Sequence, residues 1–105
     1  WLWLEDNALT GTIPSTMGEL SKLFWLRLDG NWLSGAVPSQ LGRLANAHAL
    51  NFSTNTLSGT ISSEFGELLA VRELWISVNS LSGNIPTQLG DCVNMSGFFA
   101  HDNQF

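Results

Sequence analysis

Asparagine stands at Asn7, Asn31, Asn55, Asn79 and Asn103, each 24 residues from the last. The apolar residue five places earlier keeps the same step, as Leu2, Leu26, Leu50, Leu74 and Phe98. Glycine keeps it too, at Gly11, Gly35, Gly59 and Gly83. A fixed period of this size means that one supersecondary unit is reused, and that each unit buries its apolar side only by stacking on its neighbours. The chain is therefore expected to form a solenoid. Such a fold presents a long surface without specifying what binds there.

Counted by this period, the units are residues 2–25, 26–49, 50–73 and 74–97, with a partial unit at 98–105. Each opens with two apolar residues in alternation: Leu2 and Leu4, Leu26 and Leu28, Leu50 and Phe52, Leu74 and Ile76, Phe98 and Ala100. Period two predicts a short strand with one buried face. Stacked units then lay these strands side by side in a parallel sheet, about 4.8 Å apart. Each asparagine ends a strand, where its short amide satisfies backbone groups of the turn. In a stack each also reaches the next turn, so the five asparagines are expected to form a structural ladder. A second apolar pair follows in each unit: Leu9 and Ile13, Leu33 and Val37, Leu57 and Ile61, Leu81 and Ile85. Pro14, Pro38 and Pro86 end this extended piece and open a short helical or 3₁₀ turn, with Ser62 in the same place in the third unit. A glycine in that turn is expected to cap it.

The pattern L-x-L-x-x-N-x-L-x-G-x-I-P-x-x-L-G-x-L, held in register through four units, resembles the plant-type leucine-rich repeat. The resemblance implies an α/β fold: a right-handed horseshoe solenoid with a concave parallel β-sheet, short second strands and 3₁₀ or helical turns on the convex side. It implies a protein- or peptide-binding module, as in the ectodomains of receptor-like kinases and receptor-like proteins, and an extracellular or cell-surface location. It leaves two other roles open, a secreted inhibitor of a cell-wall-degrading enzyme and a structural spacer in a longer array. Ectodomains of this kind carry cysteine-containing caps, so these 105 residues read as a single array that is a fragment without caps.

Composition narrows the partners. The net charge is −5 with only four basic residues, which offers no basic face for nucleic acid or for an anionic membrane. No apolar run reaches the roughly 20 residues of a spanning helix. The one cysteine, Cys92, allows no internal disulfide, and its place in a leucine slot predicts burial. No nucleophile elbow, phosphate loop or zinc motif occurs, and no enzyme activity, metal or cofactor is expected. Ser77, His101 and Asp102 come near one another across one strand, but on an open sheet that does not exclude water.

Residues flanking the buried strand positions face the concave side. Three lanes result: Trp1, Trp25, Ala49, Glu73 and Gly97; Trp3, Arg27, Asn51, Trp75 and Phe99; and Glu5, Asp29, Ser53, Ser77 and His101. All five tryptophans, Trp32 included, are expected on this side, where aromatic enrichment beside a few charges marks a protein-binding surface. Arg27 is expected to stack on Trp3. The candidate partner-binding residues are thus Trp1, Trp3, Glu5, Trp25, Arg27, Asp29, Trp32, Trp75 and Phe99. A glycan is the alternative occupant, because sugar rings also stack on aromatic lanes. Sequons occur at Asn51 and Asn94; a glycan on Asn94 would sit on the outer side, and one on Asn51 would obstruct the concave face.

Overall fold

The computed structural model describes residues 1–105. The first unit runs β1 (Leu2–Trp3), β2 (Thr10–Thr12) and the 3₁₀ turn η1 (Ser15–Glu19). The second repeats this order as β3 (Trp25–Arg27), β4 (Trp32–Ala36) and η2 (Ser39–Arg43). The third follows as β5 (Ala49–Asn51), β6 (Thr56–Gly59) and η3 (Ser63–Glu67). The fourth is β7 (Glu73–Trp75), β8 (Ser80–Leu81) and η4 (Thr87–Asp91), and β9 (Gly97–Phe99) closes the series.

Two parallel sheets result. The concave sheet has the order β1-β3-β5-β7-β9 and the second sheet the order β2-β4-β6-β8. In the concave sheet Leu26 pairs with Leu50, and Leu50 with Leu74, so equivalent residues lie side by side at the sequence period. The second sheet pairs differently. Thr12 lies opposite Ser34, and Ser34 opposite Thr56, a step of 22 residues. Each second strand is therefore slipped by two residues against its equivalent. A slip of two preserves the alternation, so Leu33 and Leu57 stay buried, whereas a slip of one would turn them to water.

The 3₁₀ turns start from Pro14, Pro38, Ser62 and Pro86, all with φ between −62° and −77°. Their glycines do not act as caps. Gly42 lies inside η2, and a Cβ there would collide with the Glu64 carbonyl oxygen of the next turn. Gly18 and Gly66 stand in the same relation to Gln40 and Gln88. Glycine is needed here because the turns stack backbone on backbone. The core of 21 buried residues fills the space between the sheets and the turns, with Phe52 and Phe65 its largest wholly buried members. Cys92 takes its leucine slot inside that core, and burial pushes its thiol pKa up. No helix is long and apolar enough to cross a membrane.

Candidate functional site

The turn after each concave strand is built from backbone and asparagine. Asn55 Nδ2 donates to the carbonyls of Phe52 (3.1 Å) and Ser53 (3.2 Å) in its own turn and of Leu28 (2.9 Å) in the preceding one. Its Oδ1 accepts from the Leu33 amide at 2.9 Å. Asn31, Asn79 and Asn103 repeat this set. The ladder thus reaches back to the preceding unit rather than forward to the next. Asn7 bonds only within its own turn, to Leu4 and Glu5. With amide and carbonyl both occupied by backbone, these side chains have little left to offer a ligand.

The concave lanes have the opposite character. Trp1, Trp3, Trp25 and Phe99 are exposed there, and Trp75 is half-buried. Trp3 and Trp25 make a tilted pair with ring centroids 6.4 Å apart. Trp75 and Phe99 stack at 5.5 Å and 10°. The Phe99 ring lies back over Gly97, whose missing side chain makes room for it. Both spacings fall in the range where aromatic rings attract beyond simple burial.

Three placements differ from expectation. Trp32 is not on the concave side. It opens β4 in the second sheet, opposite Thr10, because Asn31 has already turned the chain out of the first sheet. Arg27 does not stack on Trp3, although the two are register neighbours. Its guanidinium meets Glu5 at 3.0 Å and Asp29 at 3.1 Å, since two carboxylates in the neighbouring lane attract it more strongly than one ring. The hydrogen bonds it donates to Asp29, then the nearby acids, raise its pKa, so it stays charged. Ser77 is buried and its hydroxyl makes no hydrogen bond. His101 bonds Asp102 at 2.9 Å instead, and the three side chains form no relay.

The lanes enclose shallow clefts. Trp25, Leu26, Arg27, Ala49, Asn51 and Trp75 line one of about 310 Å³. Trp1, Trp3, Phe24 and Trp25 line another, of about 290 Å³ and wholly apolar in its side chains. A third lies along the sheet edge, where Phe24 stacks on His48 at 3.9 Å with Arg72 and Ser96 beyond. This edge row escaped the lane reading. Its residues, Phe24, His48, Arg72 and Ser96, also recur every 24 positions, one place before the first lane, and that signal was available. Of the two sequons, Asn94 is exposed in a turn and its amide bonds the Leu69 carbonyl, while Asn51 lines the concave cleft.

The family model described as Leucine Rich Repeat matches residues 22–44 and 70–92. No curated protein sequence matches the chain. Among solved structures, the chain is similar to the leucine-rich repeat ectodomain of the membrane receptor kinase GASSHO1/SCHENGEN3 from Arabidopsis thaliana, solved in complex with CASPARIAN STRIP INTEGRITY FACTOR 2. Identity there is 37% and the TM-score 0.97, over 98% of this chain and 12% of that one. It is also similar to a plant ice-binding protein, with 32% identity and a TM-score of 0.91 over 97% of this chain and 34% of that one. The Arabidopsis thaliana BIR2 ectodomain shows 33% identity and a TM-score of 0.90, over 96% of this chain and 54% of that one. The chain thus spans between about an eighth and about half of the structures it matches.

Proposed function

We propose that this chain, which belongs to the plant-type leucine-rich repeat family, is a recognition module that binds a protein or peptide through its concave sheet. One observation carries the reading. Four of the five tryptophans, with Phe99, stand on the outer lanes of that sheet, where folding does not require them. Large aromatic side chains left in water beside charged groups are the composition of interface centres. Besides the GASSHO1/SCHENGEN3 complex, other similar structures carry a bound partner in their names, among them a peptide hormone receptor in complex with RGF2 and PEPR1 with AtPEP1. The likeness to receptor ectodomains supports a location outside the cell, within a receptor-like protein.

The test is to pan a displayed library of random 12-residue peptides on the full chain, and on the same chain carrying Trp3→Ala, Trp25→Ala and Trp75→Ala together. Enrichment on the unaltered chain alone supports the reading. Enrichment on both moves binding off the concave sheet, and enrichment on neither leaves a structural spacer. An inhibitor would additionally slow a cell-wall hydrolase, which the panning does not require.

A second reading rests on the other sheet. There Thr10, Thr12, Thr56, Ser58 and Ser80 are exposed on β2, β6 and β8, with Thr60 exposed just past β6. Thr12, Ser34 and Thr56 are register partners on β2, β4 and β6, so one row of hydroxyls repeats about every 4.8 Å, a spacing that can order water, and one similar structure is an ice-binding protein. Ice-recrystallisation assays on the full chain and on Thr12→Lys with Thr60→Lys separate this from peptide recognition. Inhibition by the unaltered chain alone favours it, and no inhibition excludes it.

A further inference from the structure

The two aromatic pairs of the concave sheet are separated by a gap. Trp3 and Trp25 stand on β1 and β3, and Trp75 and Phe99 on β7 and β9. Between them β5 offers only Ala49 and Asn51. Trp25 stands opposite Ala49 and Trp75 opposite Asn51, so a point above Leu50, midway, is one strand spacing across and one residue along from each wall, roughly 6 Å. That lies within the roughly 4.5–7 Å over which aromatic rings attract one another. A ring centred over β5 would touch Trp25 on one side and Trp75 on the other. The cleft of about 310 Å³ is at the small end of ligand pockets, which run from about 300 to 1,000 Å³. It suits one side chain rather than a whole ligand.

The polar groups around the gap are few: Arg27, Asn51 and, opposite Ala49, the carboxylate of Glu73. The Arg27 guanidinium is held by Glu5 and Asp29. Asn51 Oδ1 accepts from the Ser53 amide at 3.0 Å, which leaves its Nδ2 as a free donor over the gap. A sugar ring would need several hydrogen-bond partners for its hydroxyls. An aromatic side chain needs at most one, and a single amide serves a phenol oxygen or a neighbouring peptide carbonyl. Beside the gap, on the side of the first units, Glu5, Asp6 and Asp29 set three carboxylates against the single cation Arg27. This leaves the neighbourhood negative and complementary to a basic group.

We infer that the gap over β5 receives an aromatic side chain of the partner, set diagonally between Trp25 and Trp75, and that the acidic cluster just past the ends of β1 and β3 receives a lysine or arginine of the same segment. The inference rests on the reading of the concave sheet as the recognition face. A segment crossing the strands advances about 3.3 Å per residue. The cluster lies one to two strands from the gap, so the basic residue stands two or three positions from the aromatic one. The two anchors together define the partner's chemistry: extended, aromatic and basic.

The experiment uses three displayed random 12-residue libraries on the full chain: one complete, one without aromatic residues and one without lysine and arginine. Strong binders are expected from the complete library alone, with aromatic and basic residues two or three apart. Ala49→Phe fills the gap, and its expected effect is at least tenfold weaker binding of those peptides with an unchanged circular dichroism spectrum. Should that variant not fold, Asn51→Phe closes the gap from the adjacent lane. Equal enrichment from the aromatic-free library overturns the inference while leaving peptide recognition intact. Equal enrichment from the library without lysine and arginine removes the basic anchor and overturns the inference as stated. No binders from any library overturns both the inference and the proposed function on which it rests.

Discussion

The turns that leave the concave sheet and the lanes that face out from it are built on one 24-residue period, yet they use it in opposite ways. In the turn after every concave strand stands an asparagine, and from the second unit on it makes the same bonds each time. In the second outer lane the corresponding residues are Trp3, Arg27, Asn51, Trp75 and Phe99, with nothing in common but their direction. Where neighbouring units must satisfy each other's backbone, the repeat holds the residue constant. Where the side chain faces water, stacking makes no demand on it. A residue as large as tryptophan is then there for another reason.

The strongest way to break this contrast is to compare Phe52 with Trp3. Phe52→Ala empties a wholly buried site and is expected to cost about 3–5 kcal/mol in denaturant unfolding. Trp3→Ala, on the exposed lane, loses only its pairing with Trp25 and is expected to cost about 1 kcal/mol or less. Comparable losses at both positions would make the aromatic lanes part of the scaffold.

The asparagine ladder gives a test of intermediate size. Asn55→Ala removes three donated bonds and one accepted bond, with an expected loss of about 1–3 kcal/mol. Asn7 makes two bonds, both exposed and within its own turn, so Asn7→Ala should shift the melting midpoint much less. An unchanged midpoint for Asn55→Ala would show that the inter-unit bonds carry no net stability.

Two smaller tests look for strain left by the repeat. Val78 is exposed with φ at 57°, a left-handed conformation that β-branched residues resist. Asparagine tolerates this region, so Val78→Asn should raise stability by about 1 kcal/mol in thermal melting. Ser62 holds a proline-like φ of −77°. Its amide donates to no backbone carbonyl, so Ser62→Pro should add about 0.4–1 kcal/mol. The same change removes the Ser62 hydroxyl that holds the Glu64 carboxyl below its usual pKa. That bond contributes above the ordinary carboxylate pKa and is lost as pH falls through the lowered one. The gain from proline should accordingly be larger in acid than at neutral pH. A gain that does not vary with pH would mean that the Ser62 bond adds nothing.

The asparagine, leucine and glycine spacing was enough to read the solenoid, the first strand of each unit, a short helical or 3₁₀ turn and the burial of Leu26, Leu50 and Leu74, while the second strand came with the resemblance to the leucine-rich repeat. Alternation and period are nearest-neighbour properties, and every stacked unit obeys them alike. Most of the aromatic lanes were legible for the same reason, since a side chain beside a buried one faces out. What the period could not settle is how equivalent units meet. The two-residue slip of the second sheet is as compatible with alternation as no slip at all, and it was decided by the packed whole. Trp32 lay one residue past the turn, and only the path of the backbone showed which sheet it joined. The engagement of Arg27 by Glu5 and Asp29, and the gap between Trp25 and Trp75, depend on side chains that do not repeat. Those choices are made by charge and contact across strands, among residues the repeat leaves free.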